Sequence, residues 1–125
     1  MIKVLLVDDN ATYLAAMRQF LDMLQGIDIV GQAANAADGL ARAAQLNPDV
    51  VLLDIALPDR SGLEVARELL ARPRAPQVIL LTMHDNSAYR QAAEQLGARF
   101  VGKTDFVAKL LPMLERMVQA RPADA

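Results

Sequence analysis

The chain has 125 residues, 54% of them hydrophobic, which is enough for one domain with a full core. Its 13 basic and 15 acidic residues leave a formal charge of -2, so no positive excess exists to attract a nucleic-acid backbone, and the lack of cysteine excludes disulfides and thiolate metal sites. No run approaches the roughly 18 apolar residues of a membrane span, and the opening MIKVLLVDDN is too briefly apolar for an export signal. The expectation is a soluble cytoplasmic domain with no direct contact to membrane or nucleic acid.

In chain order, Ile2 to Val7 reads as a first strand, and Asn10 to Leu24 as a helix whose Leu14, Met17, Leu21 and Leu24 form one apolar stripe ending at Gly26. A second strand covers Ile27 to Val30. A second helix follows from Ala36 to Leu46, with Asn35 as N-cap and Pro48 barring continuation. Val50 to Leu53 is a third strand. Ser61-Gly-Leu-Glu64 has the pattern of a capping box that opens a third helix running to about Ala71. Val78 to Leu81 is a fourth strand, and a fourth helix starts near Asn86 or Ser87 and stops at Gly97. A short fifth strand at Phe100 to Val101 leads to a last helix after Thr104, with Phe106, Val107, Leu110, Leu111, Leu114 and Val118 expected inward. Pro112 should kink or restart that helix. The domain is expected to fill residues 1–120, and 121–125 read as a tail or the start of a linker.

Most of these strands are continuously apolar, as strands covered on both faces are, and strict β/α alternation implies a doubly wound parallel α/β sheet. Ligands of such sheets bind beyond the carboxyl ends of the strands. Asp8 and Asp9 follow strand one, Asp54 follows strand three, Thr82 ends strand four and Lys103 follows strand five. Carboxylates brought within about 4 Å repel by something on the order of 4 kcal/mol per pair at an effective dielectric near 20, so a cation must offset them. An all-oxygen set suits Mg2+, and Lys103 supplies a second, fixed positive charge. Asp54 could then act as a nucleophile toward phosphorus, with Thr82 donating to a phosphoryl oxygen. Singly, each residue has a plain role: the acid pair as a helix cap, Lys103 as a solvated charge, Thr82 as a β-former.

The set VDDN, LLDIALPDRSGLE, ILLTMHD and FVGK resembles the receiver domains of two-component response regulators, the CheY-like superfamily, over almost the whole chain. That resemblance implies a flavodoxin-like strand order of 2-1-3-4-5 and five helices. It implies phosphorylation of Asp54 from the phosphohistidine of a sensor histidine kinase, with Mg2+ held by Asp9, Asp54 and the backbone carbonyl of Ala56, and Asp8 acting through water. It makes Phe100 the aromatic partner of the switch threonine, although plain core packing also explains a phenylalanine there. The partners implied are an output domain or downstream protein reached through helix four, strand five and helix five, and a phosphorylation-dependent homodimer is allowed.

Departures from the family pattern fall around this site. Leu57 stands where Met is common, and Thr104 follows Lys103 where proline, often with a cis peptide, is frequent. Five residues separate Gly97 from Lys103, one fewer than usual, which predicts a distorted approach to strand five. Met83 is bulkier than the Ala or Gly of chemotaxis-type members, and His84 reads as a loop residue near the phosphate's exit. Ala56, Met83 and His84 are therefore candidate modulators of phosphate lifetime.

Two alternatives are weighed. A haloacid-dehalogenase-like phosphatase would want a general acid where Ala56 stands, and a phosphate-independent interaction domain would not need the complete acid, threonine and lysine set. Nucleotide or flavin binding lacks a glycine-rich loop after strand one.

Overall fold

The computed structural model describes residues 1–84 and 86–120; the expected tail at 121–125 lies outside them. Its elements are β1 (Ile2–Val7), α1 (Ala11–Asp22), β2 (Ile27–Ala33), α2 (Ala36–Leu46), β3 (Val50–Asp54), α3 (Gly62–Leu70), β4 (Gln77–Thr82), α4 (Ser87–Leu96), β5 (Arg99–Gly102) and α5 (Leu111–Ala120). All five strands run parallel in the order β2-β1-β3-β4-β5, as the sequence predicts.

The sheet divides the core in two by strand alternation. Val4, Leu6, Leu52, Ile79 and Leu81 face α1 and α5, where Met17, Leu21 and Leu114, together with Leu110 just before α5, cover them. Leu5, Val7, Leu53 and Leu80 face the other way, against Ala36, Ala43, Val65, Leu69 and Ala93 of α2, α3 and α4. Each leucine fully buried here contributes roughly 2 kcal/mol against the entropy of ordering. The central strands β1, β3 and β4 are buried along nearly their whole length, while the edge strands β2 and β5 are only partly so. The helices are fastened unequally: α1 buries Leu14, Met17 and Leu21, whereas α4 buries Ala93 alone.

Local chemistry sets the helix ends. Asn10, Asn35 and Asn86 each cap a helix by accepting from backbone N–H groups of its first turn, and Gly97 closes α4 in the left-handed region at φ 82°, which glycine adopts without strain.

Several expectations are corrected. Glu64 does not complete a capping box: Ser61 Oγ accepts from Leu63 N at 3.2 Å, but the Glu64 carboxylate pairs with Arg60 at 3.5 Å. The last helix is not one continuous α-helix. It opens as a 3-10 turn at Lys103–Asp105, widens into a π-helix at Phe106–Leu110, and becomes α-helical from Leu111. Pro112 thus sits in the first turn of the α-helical part, where its missing N–H costs little, and the wide turn before it relieves the clash of its ring with the preceding carbonyls. The extra width also rotates the apolar face. Val107 points outward at 50% exposure, contrary to expectation, and Met117 joins Leu110 and Leu114 in the core, with Val118 only partly buried. The expected distortion before β5 is absent. Ile79 to Thr82 pair with Arg99 to Gly102 without a break, and the one register shift lies between Val4 and Leu5 of β1 against β2.

Candidate functional site

Among the described residues four polar or charged side chains are buried, and all four stand at the carboxyl edge of the sheet: Asp8, Asp54, Thr82 and Lys103. Burial of a charge is unfavourable unless it is paired. Here the pairing is dense. Lys103 Nζ lies 2.7 Å from Asp8 Oδ2 and 3.3 Å from Asp54 Oδ2. Asp8 Oδ1 accepts from Asn10 N at 2.8 Å, and Asp54 Oδ1 accepts from Ala56 N at 3.1 Å, which draws the Ala56 peptide beside the carboxylate.

The carboxyl of Asp54 is held above its ordinary value, first by burial and then by the charge of Asp8; Lys103 and the Ala56 N–H pull it partly back. Asp8, Asp9 and Asp54 can each offer an oxygen, all within 4.8 Å of one another, and Asp9 is exposed to solvent. An all-oxygen cluster of three carboxylates, one of them open to solvent, fits a hard divalent cation of the magnesium kind.

Thr82 stands on the strand next to Asp54, with its hydroxyl turned into its own loop: Oγ1 accepts from His84 N at 3.1 Å and donates to His84 O at 3.2 Å. Met83, 63% exposed, and His84, also exposed, follow it at the rim. Phe100 sits apart from the acids. It is partly buried against the core on the α4 side, with the Arg90 guanidinium 4.7 Å from its ring centroid. No peptide is cis, at Thr104 or elsewhere among the described residues.

The loop after Asp54 is built to close tightly. Gly62 N donates to Ile55 O at 2.8 Å, and a Cβ at Gly62 would lie 2.2 Å from the Asp54 carbonyl oxygen, so glycine alone fits. Asp59 pins the same loop to the start of α2, its carboxylate accepting from Ala36 N at 2.8 Å and Ala37 N at 3.0 Å. Those two bonds, Ala36 first, hold the Asp59 carboxyl below its usual range.

Two residues of the neighbourhood escaped the sequence reading, Asp59 and Tyr13. Tyr13 lies one turn into α1, with its ring against Lys103 Nζ and its hydroxyl on the Lys103 carbonyl. The available signal was an aromatic residue with a polar end one helical turn past the acid pair.

Comparison with known proteins places this arrangement. Residues 4–119 match the family model described as response regulator receiver domain, and the chain belongs to that family. It is 38% identical over 121 residues to the transcriptional regulatory protein BtsR of Escherichia coli, covering 97% of this chain and 50% of that protein. It is 32% identical over 108 residues to a protein-glutamate methylesterase/protein-glutamine glutaminase of Alkalilimnicola ehrlichii, covering 86% of this chain and 27% of that protein. Among solved structures, the signal receiver domain of the putative response regulator NarL from Mycobacterium tuberculosis superposes with a TM-score of 0.86 at 26% identity, covering 96% of this chain and 98% of that one. The chain thus spans between about a quarter and about half of the curated relatives it matches. Its function is that of a phosphorylation-activated response-regulator receiver, a signalling domain.

Proposed function

We propose that Asp54 is the phosphoacceptor, taking its phosphoryl group from the phosphohistidine of a sensor histidine kinase. The convergence of all four buried polar residues on one sheet edge carries this assignment. An Asp54 carboxylate oxygen attacks phosphorus, the bond from phosphorus to the imidazole nitrogen breaks, and the imidazole leaves with the electron pair. Asp9, Asp54 and the Ala56 carbonyl would hold Mg2+, with Asp8 acting through water. When bound, the ion neutralises charge on the phosphoryl oxygens. Lys103 provides the fixed cation on the other side. Hydrolysis of the acyl phosphate resets the domain, and no other catalysis is assigned to it.

The switch follows from the hydrogen bonds of Thr82. To donate to a phosphoryl oxygen its hydroxyl must leave the His84 carbonyl, which frees the loop between β4 and α4. Phe100, partly buried beneath Arg90, would then turn inward, and as a phenylalanine it carries no hydroxyl to desolvate. The surface made by α4, β5 and α5 changes and is read by an output domain or a downstream protein, including a second copy in a phosphorylation-dependent dimer. Met83, His84 and Ala56 flank the path by which water reaches the acyl phosphate. We assign the receiver to residues 1–120, residues 121–125 to a tail or the start of a linker, and the cytoplasm as its compartment.

Incubation with acetyl phosphate and magnesium, followed by intact-mass measurement, tests the assignment. The parent should gain one phosphoryl group and Asp54→Asn none; equal labelling of the two proteins would refute it.

A further inference from the structure

The ammonium of Lys103 is gripped by more than the two acids. The Tyr13 ring centroid lies 4.6 Å from Lys103 Nζ, and the Tyr13 hydroxyl donates to the Lys103 carbonyl oxygen at 3.2 Å. One side chain of α1 thus holds both the charged head and the backbone of a residue 90 positions away. The ring cannot swing aside easily. It stands edge-on to Phe106 at 5.9 Å, and Phe106 stands edge-on to Phe20 at 5.0 Å, which fixes Tyr13 against the π-helical turn. Burial, and after it the charges of Asp8 and Asp54, push the Tyr13 hydroxyl far above its ordinary value, so it stays a hydrogen-bond donor.

We propose that Tyr13 is a positioning residue for phosphotransfer, holding the Lys103 ammonium between Asp8 and Asp54 so that it meets the charge arriving on Asp54. The inference rests on the reading of Asp54 and Lys103 given above. The nearer carboxylate is Asp8, at 2.7 Å against 3.3 Å for Asp54. A lysine on a flexible stem with no other restraint would settle on Asp8 and leave the incoming phosphoryl oxygens without their cation. The negative face of the ring supplies an attraction from a further direction, strong where water is excluded. The hydroxyl contact fixes the lysine's backbone at the start of the 3-10 turn. The ring is therefore the main agent and the hydroxyl the lesser one.

Two variants and two measurements test this. In phosphorylation by acetyl phosphate with magnesium, Tyr13→Leu should lower the maximal rate about tenfold with little change in the half-saturating donor concentration, whereas Tyr13→Phe, which keeps the ring, should stay within about twofold of the parent. Independently of phosphate, the Lys103 ε-methylene NMR signal of the parent should be displaced by the ring current, stay displaced in Tyr13→Phe and relax to an ordinary value in Tyr13→Leu. A Tyr13→Leu protein that labels at the parent rate, a Tyr13→Phe protein as slow as Tyr13→Leu, or an undisplaced parent signal would each overturn the proposal. Failure of the parent itself to take label would instead overturn the assignment of Asp54, and this inference with it.

Discussion

The two ends of the sheet treat charge in opposite ways. At the carboxyl end Asp8, Asp54 and Lys103 are buried in mutual contact. At the amino end Lys3, Arg74, Arg99 and Arg116 line a cleft of about 910 Å³, and all four side chains are exposed. Volume therefore does not locate the chemistry of this domain; burial of charge does. Exposed arginines keep their hydration and their freedom, so their positions carry little free energy. Buried acids have neither, so every neighbour is held to a geometry.

Breaking the buried end should have the largest effect. Lys103→Gln removes the cation that Asp8 and Asp54 share, and without metal at neutral pH it should lower the unfolding free energy by about 3 kcal/mol in urea titrations. A loss no greater than that of an exposed arginine would erase the contrast between the two ends. Adding Mg2+ to the parent at a hundredfold excess over its dissociation constant should raise stability by about 2.7 kcal/mol, seen as an upward shift in thermal melting. Asp9→Asn should lose most of that gain, and Arg99→Gln should keep it.

The clasp of Asp59 on α2 is intermediate in kind, an exposed acid with two fixed backbone donors. Its folded pKa is depressed, so its contribution to stability is complete above the unfolded value near 4 and is lost as pH falls through the lower folded value. Asp59→Ala should therefore be less stable than the parent near neutrality, with the two converging in acid; urea midpoints measured from pH 6 downward would show it. The smallest effect belongs to the amino-end cleft, where Arg74→Gln and Arg99→Gln should each change stability by no more than about 0.5 kcal/mol.

The sequence makes the sheet legible because β1, β3 and β4 each carry four consecutive apolar residues, Val4 to Val7, Val50 to Leu53 and Val78 to Leu81, as strands covered on both faces do. The positions of Asp8, Asp54 and Thr82 follow from those strands, and that of Lys103 from the shorter β5, since each lies at or just past a strand's carboxyl end. The errors lie where a local rule met a competitor. Val107 was assigned inward by a period of 3.6, and the π-helical turn broke that period. Glu64 was assigned to a cap, and Arg60 took it instead. Tyr13 offered only a weak local signal, its place one turn past the acid pair, because its importance comes from a lysine brought to it by the closing of the sheet.

The weak fastening of α4 has a consequence for how such a domain can be rewired. Moving a two-state equilibrium from mostly off to mostly on takes about 5.5 kcal/mol of differential interaction, a large demand on a few contacts to one phosphoryl group. A helix anchored as α1 is, by Leu14, Met17 and Leu21, would add the repacking of three large side chains to that demand. With Ala93 as its one fully buried residue and Tyr89 and Leu96 only partly buried, α4 adds less. Its exposed positions touch few core side chains, so substitutions there should leave the core that carries the acids unchanged.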